Sequence, residues 1–238
     1  MIRIGTASWQ LPKAHAAHFP SPGSHLERYA KRFNAVEINS SFHKPHRRAT
    51  YERWAASVPT DFRFAVKAPR EITHDLRLAR AGATLDAFLE QATGLGRKLG
   101  VLLFQLPPSL AFDAHTAVTF FKVLRKRHRG QVVCEPRHPS WLAPRAEELL
   151  IQHRIARVAA DPAIMPAAAE PGGWRRLTYF RLHGAPRIYW SAYRPEQIAF
   201  YADKLTRSKA AERWCIFDNT VLGAATENAL TLRELIAR

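Results

Sequence analysis

Polar side chains close several short apolar segments of this chain, and they carry both signs of charge. Glu37 and Asn39 fall at the end of AVEIN (35–39), Lys67 ends RFAVK (63–67), and Gln105 ends VLLFQ (101–105). Glu135 ends QVVCE (131–135), and Arg181 and His183 close TYFRLH (178–183). A carboxylate near a lysine or arginine can act as a tuned general acid or base, with histidine moving the complementary proton. A lysine can stabilise an oxyanion or form a Schiff base. Asp161 and Asn219 lie just beyond two further apolar segments. The competing reading is a structural salt-bridge layer, because buried charges of both signs must pair. Arg63, deeper in its segment, fits that layer better.

The elements that must position these groups alternate regularly. Eight short apolar runs read as buried strands: Ile2–Thr6, Ala35–Asn39, Arg63–Lys67, Val101–Gln105, Gln131–Glu135, Ile155–Ala159, Thr178–His183 and Trp214–Asp218. Between them lie amphipathic stretches. Ser24 and Glu27 form a capping box before Leu26, Tyr29, Ala30 and Phe33, and Asp113 caps a stripe of Ala117, Phe120, Phe121 and Leu124. Pro144 and Pro195 suit first helical turns. The stretch 161–176 carries Pro162, Pro166, Pro171, Gly172 and Gly173 and reads as a loop with one short turn at 166–170. The expectation is therefore one α/β domain over 1–238: a TIM-barrel-like (β/α)8 closed parallel barrel whose sixth helix is short or missing. No GxGxxG follows the first strand, which disfavours a dinucleotide-binding sheet.

Strand period assigns faces. Val36 and Ile38 oppose Glu37 and Asn39; Phe64 and Val66 oppose Ala65 and Lys67; Phe180 and Leu182 oppose Tyr179, Arg181 and His183. The polar sets are expected to point inward at the carboxyl-terminal strand ends. Trp9, Trp141, Tyr189 and Tyr193 follow strands and offer aromatic walls for a sugar or base, or simply loop packing. Lys44, Arg70, Arg137 and Arg187 share that rim.

Net charge is +16, from 36 Lys and Arg against 20 acids. Such a field favours phosphates, nucleic acid or acidic partners. The densest run, Lys122–Arg129, ends a helix and falls at the opposite end from the rim, where it complements the helix dipole. The two cysteines, Cys134 and Cys215, sit in apolar runs and read as reduced core thiols. No run of about 18 apolar residues spans a membrane. The opening MIRIGTASWQ lacks a signal-peptide pattern, so a cytoplasmic location is expected.

Seven motifs in order, IGTASW (4–9), VEINSSF (36–42), FAVKAPREITH (64–74), LLFQLPPS (102–109), EPRHPSW (135–141), RLHG (181–184) and FDN (217–219), resemble the YecE-like family, domain of unknown function 72. The resemblance spans essentially the whole chain and implies a barrel similar to a TIM barrel. It carries the family's polar positions onto Glu37, Asn39, Lys67, His74, Gln105, Glu135, Arg137, His138, Arg181, His183 and Asn219. This chain departs from the pattern at Ser8, where glycine is usual, His43, where tyrosine is usual, Pro136, where an aromatic is usual, and Asp218, where asparagine is usual.

These readings favour a metal-independent enzyme acting on an anionic, phosphorylated or sugar-containing small molecule. Glu37, Lys67, Glu135 and His183 are its candidate catalytic groups, and no cofactor is implied. Trp9, Asn39, His74, Gln105, Arg137, His138, Trp141, Arg181 and Asn219 are candidate ligand contacts. Three alternatives remain: a nucleic-acid-binding or nucleic-acid-processing protein, a metal-dependent hydrolase or isomerase using Glu135, Asp161 and His183 with Glu37, and a noncatalytic ligand sensor. The sequence leaves the oligomeric state open.

Overall fold

The computed structural model describes residues 1–237. Its ten strands form two sheets. The first contains β1 (Ile2–Thr6), β10 (Glu212–Phe217), β9 (Leu177–Leu182) and β7 (Ala159–Asp161), in that order and all parallel. The second contains β2 (Ala35–Ile38), β3 (Arg63–Lys67), β4 (Leu99–Gln105), β5 (Gln131–Glu135) and β6 (Ala156–Arg157), also parallel. A two-residue strand, β8 (Gly172–Gly173), adds to its edge antiparallel to β6.

The expected single closed sheet is thus divided in two. The sixth expected strand breaks: its first part pairs with β5 and its second with β9, so one short segment serves both sheets. At the other seam a lone parallel bridge joins Ala7 to Glu37. The expected loop at 161–176 supplies β8 and a short 3₁₀ turn over Pro166–Ala169, in place of a sixth helix. Gly173 has φ 63°, and a Cβ there would meet the Ile155 carbonyl oxygen at 2.4 Å, so β8 reaches β6 only through glycine.

Among the described residues seven α-helices lie between and after the strands: α1 (His25–Ala30), α2 (Arg48–Ala56), α3 (Gly82–Ala92), α4 (Ala114–Arg127), α5 (Pro144–Gln152), α6 (Pro195–Arg207) and α7 (Ala224–Ala237). Their starts follow the local chemistry. The Ser24 and Glu27 capping box closes α1, and Asp113 accepts the Thr116 backbone N–H at 2.7 Å at the head of α4. Pro144 and Pro195 occupy first turns. Among the described residues, no helix is long and apolar enough to cross a membrane.

The strand faces separate two apolar cores as the period requires. Val36, Ile38, Phe64, Val66, Phe180 and Leu182 join the helices in one cluster. Ala35, Ala65, Val101, Val133, Tyr179, Trp214 and Ile216 form a second on the opposite face. Cys134 and Cys215 are buried and unlinked on the helix side. On the inner face the residues stay apolar over most of the strand length and become charged at the carboxyl-terminal ends.

Candidate functional site

Arg181 is the hub of that charged layer and is completely buried. Its Nε and Nη2 fork onto the two oxygens of Glu37, at 3.0 and 2.6 Å. Nη1 donates to Glu135 at 2.7 Å, and Nη2 also reaches Asp218 at 3.0 Å. Glu37 belongs to β2, Glu135 ends β5, and Asp218 follows β10, so one guanidinium from β9 ties together carboxylates from both sheets. Planar guanidinium geometry suits this task in a way a lysine ammonium does not. Tyr179, two residues back on the same face, donates its hydroxyl to Glu37 at 3.0 Å.

His183 continues the inner face of β9. Its Nδ1 lies 3.0 Å from Asp218, while Nε2 lies 2.7 Å from Arg137 Nη2 and 3.2 Å from Glu135. The ring thus lies between carboxylate oxygens on both sides, Asp218 at Nδ1 and Glu135 at Nε2, with the Arg137 guanidinium also against Nε2. Arg137 also pairs with Glu135. Burial pushes the Glu135 carboxyl upward, but Arg137, Arg181 and His183 outweigh burial and hold it well below the usual carboxylate range. Asp218 is likewise held low against burial by Arg181 and His183. Glu135, expected as a general acid or base tuned by a neighbouring cation, is thus held in its ionised form.

Lys67 differs from every other charge in the layer. No carboxylate lies within 4.0 Å of its ammonium among the described residues, which instead sits 4.0 Å over the ring of Phe42. Burial lowers its pKa to about 8, and Arg181 adds to the shift against the pull of Glu37, Glu135 and Asp218. The Phe42 ring also meets His74 edge-on at 5.0 Å. His74 itself is lowered by burial and by its neighbours Arg70 and Lys67.

The remaining expected contacts divide into two groups. Trp9 and Asn39 border a cavity of about 250 Å³ that reaches Glu37, and Asn39 Oδ1 is buried there without a hydrogen-bond partner. Gln105 pairs in register with Glu135 and is partly exposed. Tyr189 stands over His183 with ring centres 5.8 Å apart, at φ 70°, a conformation costly for a bulky side chain. The others serve the scaffold. Trp141 is in the core, its indole donating to the Leu110 carbonyl at 3.0 Å, so it is no ligand wall. Tyr193 is buried and donates to Asp161 at 2.6 Å, which takes that carboxylate away from the metal set proposed for it. His138 accepts the Ser140 N–H and caps a short 3₁₀ turn. Asn219 donates to Ser191 O and Asn228 Oδ1, both at 2.9 Å, and fastens two loops. Arg70 pairs with Asp75 and Arg187 stacks on Trp190. Among the described residues, no group of three or more His, Cys, Asp or Glu is arranged to hold a metal ion.

Asp218 is the site residue that sequence reading passed over, while Tyr179, expected on the inner face, gains a role as donor to Glu37. The signal was available: in β10, Trp214 and Ile216 lie on the inner face, so period two places Asp218 inward. The adjacent motif residue Asn219 drew the assignment instead.

The chain is of the α/β class, with parallel sheets and a group of buried charges at the strand ends. Within that class the chain belongs to the family described as protein of unknown function DUF72, whose pattern matches residues 3–238. It is similar to the UPF0759 protein YecE of Escherichia coli K12, 30% identical over 173 residues, covering 71% of this chain and 62% of YecE. It is also similar to the UPF0759 protein YunF of Bacillus subtilis 168, 29% identical over 60% of this chain and 53% of YunF. The chain thus spans under two thirds of the length of these relatives. Two DUF72 family crystal structures share the fold. One, from Enterococcus faecalis V583, has a TM-score of 0.81 at 22% identity, covering all of this chain and 96% of that one. The other, from Thermotoga maritima MSB8, has a TM-score of 0.79 at 23% identity, with both chains fully covered.

Proposed function

We propose that this chain is a metal-independent enzyme that binds a small anionic compound at the carboxyl-terminal strand ends and uses Lys67 for acid–base or oxyanion chemistry there. One observation carries the reading. The three carboxylates of the layer are all bound by Arg181, whereas Lys67 has no carboxylate within 4.0 Å among the described residues, and Arg137 is the most exposed charge of the group. A ligand arriving from the rim meets positive charge in a weakly solvated setting, where an anion is favoured. A lysine titrating at about 8 supplies both forms near neutrality: the ammonium stabilises an oxyanion, and the amine takes a proton. His183, held by Asp218 and Arg137, lies beneath as a proton relay. The same reading takes the two facing sheets as halves of one (β/α)8-type barrel and residues 1–238 as one working domain.

The test is to purify the protein and its Lys67→Ala, Arg137→Ala double variant natively, release bound small molecules, and compare them by mass spectrometry. An anionic compound enriched only in the unaltered protein, and then converted by it, is the expected result. Identical profiles would sink the assignment. A ligand retained without turnover would leave a sensor in place of an enzyme.

A further inference from the structure

The opposite end of the molecule holds a second cavity, of about 520 Å³, at the start of β5 and the end of α5. Its lining includes Arg125, Arg129, Gln131, His153, Arg154 and Trp174 and contains no Asp or Glu. We infer that this cavity is a separate ligand site for a phosphorylated planar ring, a mononucleotide in its simplest form.

Four features lead there. First, the cations are of two kinds. The Arg125 guanidinium donates to the carbonyls of His153, Gly130 and Arg154, at 2.6, 2.7 and 2.7 Å, so it is committed to the fold. The exposed side chains of Arg129 and Arg154 have no carboxylate within 4.0 Å among the described residues. Two uncommitted guanidiniums suit the several oxygens of a phosphate. Second, the positive charge is uncompensated locally. Burial and Arg154 together lower the Arg125 pKa to about 10, and burial with Lys122 and Arg125 lowers that of His153. An anion relieves both.

Third, two polar atoms in the lining, Gln131 Oε1 and His153 Nε2, are shielded from solvent and have no hydrogen-bond partner. Buried polar groups are rarely left so. A small side-chain rotation toward a ligand breaks no existing bond of either atom. Trp174, partly buried against the inner apolar core, adds an aromatic wall on which a ring can stack. Fourth, Arg154 has φ 54° just beyond the end of α5, where glycine is the favoured residue. The chain carries a strained arginine there, and its side chain borders the cavity.

That strain also gives a clean test. Arg154→Gly relieves the backbone and keeps the backbone carbonyl that Arg125 needs, so the variant folds at least as well while losing the cation. AMP and inorganic phosphate are titrated into the protein by calorimetry, together with this variant and Trp174→Ala. The expected result is AMP binding that weakens about tenfold or more in Arg154→Gly and by roughly tenfold in Trp174→Ala, with Lys67→Ala unaffected. Phosphate alone binds more weakly and is insensitive to Trp174→Ala. The inference is overturned if AMP does not bind, if Arg154→Gly binds it unchanged, or if binding is lost in Lys67→Ala, which places the ligand at the other end. A polyuridine oligonucleotide that binds independently of Arg154 and is released by Lys122→Glu with Lys126→Glu also overturns it, in favour of a nonspecific surface.

Discussion

The two ends of the strands handle positive charge in opposite ways. At the carboxyl-terminal end, Arg181 and Arg137 are matched to carboxylates. At the amino-terminal end the matching groups are backbone carbonyls. Arg125 binds the carbonyls that follow α4 and α5, Lys98 binds Ala55 and Val58 at the end of α2, and Arg213 binds Leu205 and Ser208 at the end of α6. Parallel βα repeats explain the division. Helices end where strands begin, so orphan carbonyls and negative dipole ends collect at that end and cations satisfy them. Part of the +16 charge is therefore architectural. Net charge alone could not separate such cations from those that wait for a ligand, and the two guanidiniums Arg129 and Arg154 stand out only once the committed ones are accounted for.

Breaking the carboxylate-matched end has the largest consequence. Arg181→Met removes the partner of Glu37, Glu135 and Asp218 at once and leaves buried anions without a counter-charge. Loss of one member of a buried ion pair costs about 3–5 kcal/mol, and this residue serves three partners, so the expected loss is at the top of that range or beyond. Urea denaturation at pH 7 measures it. A loss below about 1 kcal/mol would mean that the layer is hydrated and not a buried lattice.

Lys67 tests the same end with the opposite sign. Its pKa is about 8 in the fold against an ordinary 10.5, so the folded chain disfavours the ammonium. At about 1.4 kcal/mol per pH unit, holding Lys67 charged at pH 7 costs roughly 3 kcal/mol. Lys67→Met is therefore expected to raise stability at pH 7 by about 2–3 kcal/mol while abolishing the chemistry proposed for the site. The pH dependence follows. Between about 8 and 10.5 the unfolded chain binds more protons than the folded one, so stability rises with pH through that window. The gap between the protein and Lys67→Met then closes. Thermal melts across pH 7–11 read it out, and a constant gap would remove the burial argument.

At the carbonyl-matched end the cost is smaller because carbonyls released from a cation can take water. Arg125→Met is expected to cost about 2 kcal/mol by the same urea measurement. A cost equal to that of Arg181→Met would erase the distinction between the two ends.

Much of this contrast was legible in the sequence, and the failures have physical causes. Period two in AVEIN and TYFRLH placed Glu37, Arg181 and His183 on the inner face correctly, because apolar residues alternate cleanly there. The run Lys122–Arg129 falls at the far end because it closes α4 and leads into β5. The break in the sixth strand was not legible. IARVA is apolar apart from Arg157 and carries no break signal, and only the tertiary arrangement shows that Ala156–Arg157 pairs with β5 while Ala159–Asp161 pairs with β9. Aromatics were the weakest readings. Trp141 and Tyr193 follow strands just as Trp9 and Tyr189 do, yet they are buried, and type and position do not tell a packing ring from an exposed one. Pairing preference was equally hidden: nothing in the sequence tells that the strand-end Lys67 lacks a carboxylate partner while the rim residue Arg137 has one.

The smallest expected effect sharpens the layer most. Asp218 is the third carboxylate on Arg181, and its charge helps to hold Lys67 protonated. Asp218→Asn keeps an oxygen to accept from Arg181 and from His183 Nδ1, so the geometry has reason to survive. The negative charge is lost, however, and the pKa of Lys67 should fall below its present value of about 8. The rate at which an amine-reactive reagent labels Lys67, followed by peptide mass spectrometry against pH, reports the inflection directly. A downward displacement shows that Asp218 sets how much neutral amine is present at pH 7. An inflection that stays near 8, with folding intact, would mean that desolvation and Arg181 alone tune the lysine, and that the third carboxylate in this chain serves Arg181 and His183 without reaching the reactive group.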